Sequence, residues 1–176
     1  MIRPAASRIV ARLMATRRAA ARRYWLFKSE PDTYSFAHLQ ADGRTFWHGV
    51  RNYQARNLLR DEIQVDDGVL FYHSNASPPA LVGVAKVVRA GYPDATAFDP
   101  ASDYHDPKSN PQDPTWFQVD IAPVQPFRRP LPLPELRAMP ELEDMVLLQR
   151  SRLSVQPVTR EQWRHLLAAG GAVEAW

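Results

Sequence analysis

The sequence predicts one α+β domain built from five or six strands and scattered short helices. Three observations lead there. Runs rich in aromatic and β-branched residues recur at 24–28, 69–73, 80–89, 116–124 and 155–158. Stretches with helical spacing of apolar residues lie among them, most clearly at 53–63 and 160–170. Sixteen prolines, mostly after residue 76, break the second half into loops and short elements. A chain of 176 residues, 45% of them apolar, can bury one real core.

Composition removes several function classes. With no cysteine there is no disulfide scaffold, no thiol nucleophile and no Cys-ligated zinc. No apolar run approaches the ~20 residues that span a bilayer. The charge is uneven. Residues 1–23 hold seven arginines and no acid; without them the balance moves from 22 basic against 19 acidic residues to 15 against 19, a net of −4. The pI of 9.4 therefore describes this segment and not the domain that follows. A nucleic-acid surface has to be sought as a local patch. Three readings of residues 1–23 stand side by side: an organelle address, a basic arm for phosphates, or a poorly ordered extension with Met14 as the true start.

The elements follow in order from residue 24. Tyr24 to Lys28 reads as a buried strand, stopped by Ser29-Glu30-Pro31-Asp32. A cation, a hydroxyl and a carboxylate thus stand at a strand end, where ligand groups are often presented. The plainer reading is a capped turn with a surface salt bridge. Ser35 N-caps a short helix through Gln40 that ends near Gly43. Thr45-Phe46-Trp47 is extended, and Gly49 marks a turn or a close backbone approach. Asn52 caps a helix whose Ala55, Leu58, Leu59 and Ile63 face inward. Its first turn carries Arg51, Asn52 and Tyr53, where free amides and the helix dipole favour an acceptor-rich ligand.

Asp66-Asp67-Gly68 is a turn before the buried strand Val69–His73, and Ser74 to Pro79 is a loop. Ala80 to Arg89 is a long strand with a bulge at Gly83, pairing back on the previous one as a hairpin. Residues 93–114 form a polar segment. Its Asp99, Asp103, His105 and Asp106 match no EF-hand or zinc spacing, so turn formation is the reading and no metal is expected. Trp116–Val124 is a half-buried strand, Pro126–Pro134 a connection, and Leu133–Met139 a short helix. Leu142–Leu148 is a further apolar segment, and Val155–Val158 a last strand. Thr159 and Gln162 form a capping box for a structural helix with Trp163, Leu166 and Leu167 inward, closed at Gly170-Gly171.

Trp47-His48-Gly49-Val50-Arg51-Asn52-Tyr53-Gln54-Ala55-Arg56-Asn57 concentrates flat rings, Arg forks and amides beyond what packing of an amphipathic helix needs. Together with Tyr24-Trp25-Leu26-Phe27-Lys28-Ser29-Glu30-Pro31, Asp67-Gly68, Phe71-Tyr72-His73-Ser74 and Arg152-Leu153-Ser154-Val155-Gln156-Pro157, it resembles the EVE domain in sequence and order. The resemblance runs from about Tyr24 to Gly170. One departure is His48, where relatives often carry Asp or another polar residue.

The resemblance implies a PUA-like fold, a small bent β-barrel with helices packed around it, over residues 24–171. It also implies a non-catalytic module that binds nucleic acid and takes a modified nucleobase, such as 5-methylcytosine or 5-hydroxymethylcytosine in DNA or a modified base in RNA. Trp47, Tyr53 or Trp25 would stack on the base, and Asn52, Ser29, Glu30 and Ser154 would read its edge. Lys28, Val50, Arg51, Asn57, Tyr72, His73 and Ser74 complete the implied pocket. Arg56, Arg150 and Arg152, with Arg51, would hold flanking phosphates. No cofactor, metal or membrane is implied, and the expected compartment is the cytoplasm unless residues 1–23 are an organelle address. Two rivals remain: an enzyme using Glu30 and His73 as acid and base, with Ser29 as nucleophile, and a protein-interaction domain working through its Pro-rich loops.

Overall fold

The computed structural model describes residues 22–150 and 152–176. All but the last two residues of the Arg-rich segment, and Ser151, lie outside them. Six strands form one mixed sheet in the open order β2-β5-β4-β3-β1-β6. They are β1 (Tyr24–Ser29), β2 (Thr45–Trp47), β3 (Gly68–His73), β4 (Ala80–Pro93), β5 (Phe117–Pro132) and β6 (Val155–Val158). The helices are α1 (Phe36–Asp42), α2 (Tyr53–Asn57), α3 (Leu133–Arg137), α4 (Val146–Gln149) and α5 (Arg160–Gly170).

β1 and β3 run parallel, in register from Tyr24↔Gly68 to Ser29↔His73; the other pairings are antiparallel. Both of these strands read as unbroken apolar runs because both of their faces are covered. Tyr24, Leu26, Leu70 and Tyr72 pack on one side with Trp163, Leu166 and Leu167 of α5. Trp25, Phe27, Val69 and Phe71 pack on the other with Phe36 and Leu39 of α1 and with Trp47, Ala55 and Leu59. The period of two along each strand thus feeds two cores.

The predicted caps are present. Ser35 and Thr159 each accept from the third helical amide, and Gly43 and Gly171 close their helices in the left-handed region at φ 71° and 68°. α2 runs directly into a wider π turn, Leu58–Glu62, closed by Ile63 N–H donating to Leu58 O at 3.0 Å. The bulge expected at Gly83 is a register shift against β5 between Leu81 and Gly83.

Two expectations need correction. β4 continues past Arg89 to Pro93, and 126–132 is not a connection but the second half of β5. Pro126, Pro130 and Pro132 make that half of the strand read as a connection. β2 covers the outer edge of β5 only at Val119–Ile121. Beyond that a proline whose nitrogen faces the open edge removes no ladder bond. The register also shifts several times along β4–β5, so the ladder tolerates missing donors.

Arg22 and Arg23 are tied to the domain. Arg22 pairs with Glu174 at 2.7 Å, Arg23 pairs with Glu62 at 2.7 Å, and the Arg23 N–H donates to Asp67 at 3.0 Å.

Candidate nucleic-acid interface

The stretches singled out in the sequence meet at the C-terminal ends of the two parallel strands. Lys28 N–H donates to Ser154 O at 2.9 Å, and Ser74 N–H donates to Ser29 O at 2.9 Å. Trp47 packs its ring on Phe27 and Phe71, with centroids 5.2 and 5.5 Å apart. Residues from positions 28–30, 47–50, 72–74 and 153–154 therefore share one end of the sheet.

The sheet then divides them. Lys28 and Tyr72 continue the face of Tyr24, Leu26 and Leu70, with the Lys28 ammonium 5.8 Å from the Tyr72 ring centre. On this side lies an open cleft of about 140 Å³, lined by Lys28, Tyr72, Ser74, Asn75, Arg137 and Leu147 among others. Burial lowers the Lys28 pKa. Burial raises that of the Tyr72 hydroxyl, and the nearby Arg137 charge opposes the rise. Ser29 and His73 continue the opposite face, with Trp25, Phe27, Trp47 and Val50. Ser29 Oγ donates to Tyr34 O at 2.6 Å, and His73 Nε2 accepts from the Phe36 N–H at 3.1 Å. Burial lowers the His73 pKa, in keeping with an imidazole that serves as an acceptor.

Trp47 shows 9% of its surface and Val50 7%, so both offer an edge and not a face. Trp25 has no exposed surface, and its indole N–H donates to Asp67 at 2.8 Å. It belongs to the core and has no face left for stacking.

Arg51 is also committed. Its guanidinium donates to Asp94 Oδ2 at 2.8 Å, to Tyr104 O at 2.9 Å from Nε and again from Nη2, and to Thr96 Oγ1 at 3.2 Å. It lies 5.3 Å from the Trp116 ring centre. Arg51 thus pins the long 93–116 segment. Asp94 is fully buried, and burial alone would raise its pKa. Hydrogen bonds from Thr96, Arg51 and the Gly49 amide outweigh that and hold the carboxyl below its usual range. Gly49 sits at φ 75°, and a Cβ there would come 2.8 Å from the Tyr104 ring. The glycine lets the segment close over the start of α2.

Asn52 caps α2, its Oδ1 accepting from the Ala55 N–H at 2.9 Å. Tyr53 is 61% exposed and leans on Trp116 with ring centroids 5.0 Å apart. The Arg56 guanidinium lies 5.1 Å from the Tyr53 ring centre and donates to Thr115 O and to Asn57 Oδ1. Tyr53 thus forms an exposed aromatic ledge, backed by the buried Trp116 and flanked by the half-buried Arg56. Arg150 and Arg152 are exposed beside β6, where Gln156 Nε2 holds the loop through Leu153 O at 2.7 Å and Arg150 O at 3.2 Å.

Glu30 and His73, the candidate acid and base, turn to different partners. Glu30 is exposed and accepts from Asn75 Nδ2 at 3.2 Å, whereas His73 is held at the start of α1. The acidic stretch at 99–106 builds turns: Asp99 accepts from Ala101 N–H, and Asp106 from Lys108 N–H and the Trp116 indole. Among the described residues no group of three or more metal-ligating side chains comes together.

Sequence reasoning missed Arg137, Asp94, Tyr104 and Trp116 as parts of this region. Asp94 followed by Thr96 is a short capping signature that was available. Nothing local marks Arg137 or Tyr104, since their partners lie far away along the chain.

The pattern that defines the EVE domain matches residues 23–169. Mouse thymocyte nuclear protein 1 is 40% identical over 164 residues, 82% of this chain and 72% of that protein. A Pseudomonas syringae protein of known crystal structure superposes with a TM-score of 0.80 at 47% identity, covering 84% of this chain and 99% of that one. Human THYN1, solved in complex with DNA that contains 5-methylcytosine, superposes with a TM-score of 0.81 at 36% identity, covering 86% and 99%. With that pattern spanning nearly all the described residues, and with relatives this similar along most of its length, the chain belongs to the EVE domain family.

Proposed function

We propose that this protein is a non-catalytic reader of a modified base, with 5-methylcytosine in DNA as its first candidate. The observation that carries the reading is the likeness to human THYN1 in its complex with 5-methylcytosine-containing DNA, over 86% of this chain. The convergence of four sequence stretches at one end of the sheet supports it.

A base inside a duplex hides its faces, so it enters flipped or from a single strand. It sits on the side of Ser29, Trp47, Val50 and His73, against the exposed edge of Trp47. Asn52, Glu30 and Ser154 supply hydrogen bonds to its edge. Tyr53, backed by Trp116 and flanked by Arg56, receives a flanking base, since stacking on an aromatic contributes about 1–3 kcal/mol per base. Arg150 and Arg152 lie along the phosphates. A methyl group adds about 0.8 kcal/mol of apolar burial, so preference for the modified base is about fourfold from contact alone.

Titration of matched oligonucleotides with and without 5-methylcytosine, single- and double-stranded, at two salt concentrations, tests this. Tighter binding of at least one modified form is expected. Failure to bind any form overturns the reading.

A further inference from the structure

The cleft on the Lys28 side is not absorbed by the base site. Its polar lining is cationic or hydrogen-bonding: Lys28, Arg137, Ser74, Asn75 and Tyr72. Among the described residues no carboxylate lines it; Glu30 stands one step away, behind Asn75. Leu133 and Leu147 close its apolar side, so the charges work beside low-dielectric walls. No ion pair of the described residues uses Arg137. Its charge reaches Tyr72 across the cleft. At about 140 Å³ the cleft is smaller than the ~300–1,000 Å³ of drug-sized ligand sites, which suits one small anionic group and not a whole nucleotide.

Lys28 and Ser29 are neighbours on a strand, about 3.8 Å apart along the backbone, with side chains on opposite faces. A nucleic-acid strand crossing this end of the sheet can put a base on the Ser29 side and its phosphate on the Lys28 side. We propose that the cleft is a phosphate seat, in which Lys28 and Arg137 hold one backbone phosphate next to the base being read. This rests on the base reading above, and the test separates the two.

The experiment compares the full chain with Arg137→Gln. Both are titrated with plain and 5-methylcytosine oligonucleotides over a salt series. Both are then titrated with oligonucleotides in which one linkage at a time is a neutral methylphosphonate. Arg137→Gln is expected to weaken plain and modified DNA alike, about five- to tenfold at 0.1 M salt, and to reduce the salt slope by about 0.9 for duplex or 0.7 for single strands. Their ratio and the melting temperature stay unchanged. One linkage, when neutralised, costs the wild type more affinity than it costs the variant, which keeps only Lys28 at the seat.

If every linkage costs both proteins equally, the seat is refuted. A changed ratio of modified to plain binding also refutes it, because Arg137 then touches the base. Inorganic phosphate that competes with DNA for the wild type but not for the variant, without any linkage effect, assigns the cleft to free phosphate and overturns the backbone assignment. If linkage coupling appears while plain and modified DNA bind equally, the seat stands and the base reading falls.

Discussion

Arg51→Ala distinguishes an anchor from a ligand contact. Arg51 is 23% exposed and its partner Asp94 is fully buried. Removing one member of a buried ion pair typically costs about 3–5 kcal/mol, because the other charge is left uncompensated. Here Asp94 keeps the Gly49 amide at 2.9 Å, the Thr96 amide at 2.9 Å and Thr96 Oγ1 at 2.6 Å. The expected loss is therefore at the low end, about 3 kcal/mol. For a chain of this size that is about 6–12 °C in Tm. Urea and thermal melts read it directly.

The pH dependence follows from Asp94. Its folded pKa lies below the ordinary 3.8, so its stabilisation is present above that value and lost as pH falls through the folded pKa. In Arg51→Ala the folded pKa rises, and acid unfolding starts at higher pH. DNA binding should fall only as far as the 93–116 segment loosens. If instead the variant melts within about 0.5 kcal/mol of wild type while its salt slope drops by about 0.9, Arg51 is a phosphate contact and the anchoring argument is wrong.

Three further outcomes are expected. Trp47→Ala should cost about 3–5 kcal/mol, because the ring is packed between Phe27 and Phe71. Trp47→Phe keeps most of that packing and should lower affinity for the modified base; unchanged affinity in a calorimetric titration would leave Trp47 a core residue only. His73 has a folded pKa below its ordinary 6.5 and accepts a bond from the Phe36 amide. Its contribution to stability is complete above pH 6.5 and declines from there down to the folded pKa, and His73→Gln should flatten that part of the stability–pH curve. A chain beginning at Arg22 should fold and melt like the full chain, whereas one beginning at Tyr24 loses the ties to Glu174, Glu62 and Asp67 and should melt a few degrees lower, as differential scanning fluorimetry would show.

The parts legible in the sequence are those with short-range causes. Ser35, Asn52 and Thr159 cap because their side chains reach amides within three residues. β1 and β3 announced themselves through unbroken apolar runs that need cover on both faces. β5 was cut short because proline is read locally as a breaker, while its tolerance depends on whether a neighbour strand needs that donor. Composition offers Arg51, and the family resemblance offers Trp25, as ligand groups because both show what a side chain can bond, not what it has already bonded.

Sequence alone determined most of the elements, though not the full lengths of β4 and β5, together with the family likeness and the set of polar and aromatic groups that gather at one strand end. It could not say which of those groups remain available. Asp94 and Tyr104, 43 and 53 residues from Arg51, consume its guanidinium, and Asp67, 42 residues away, takes the Trp25 indole. Nor could it say that Lys28 and Ser29, side by side in the chain, would serve two different spaces. That division belongs to the tertiary structure, because a strand end becomes two sites only when helices build a wall on each face of the sheet.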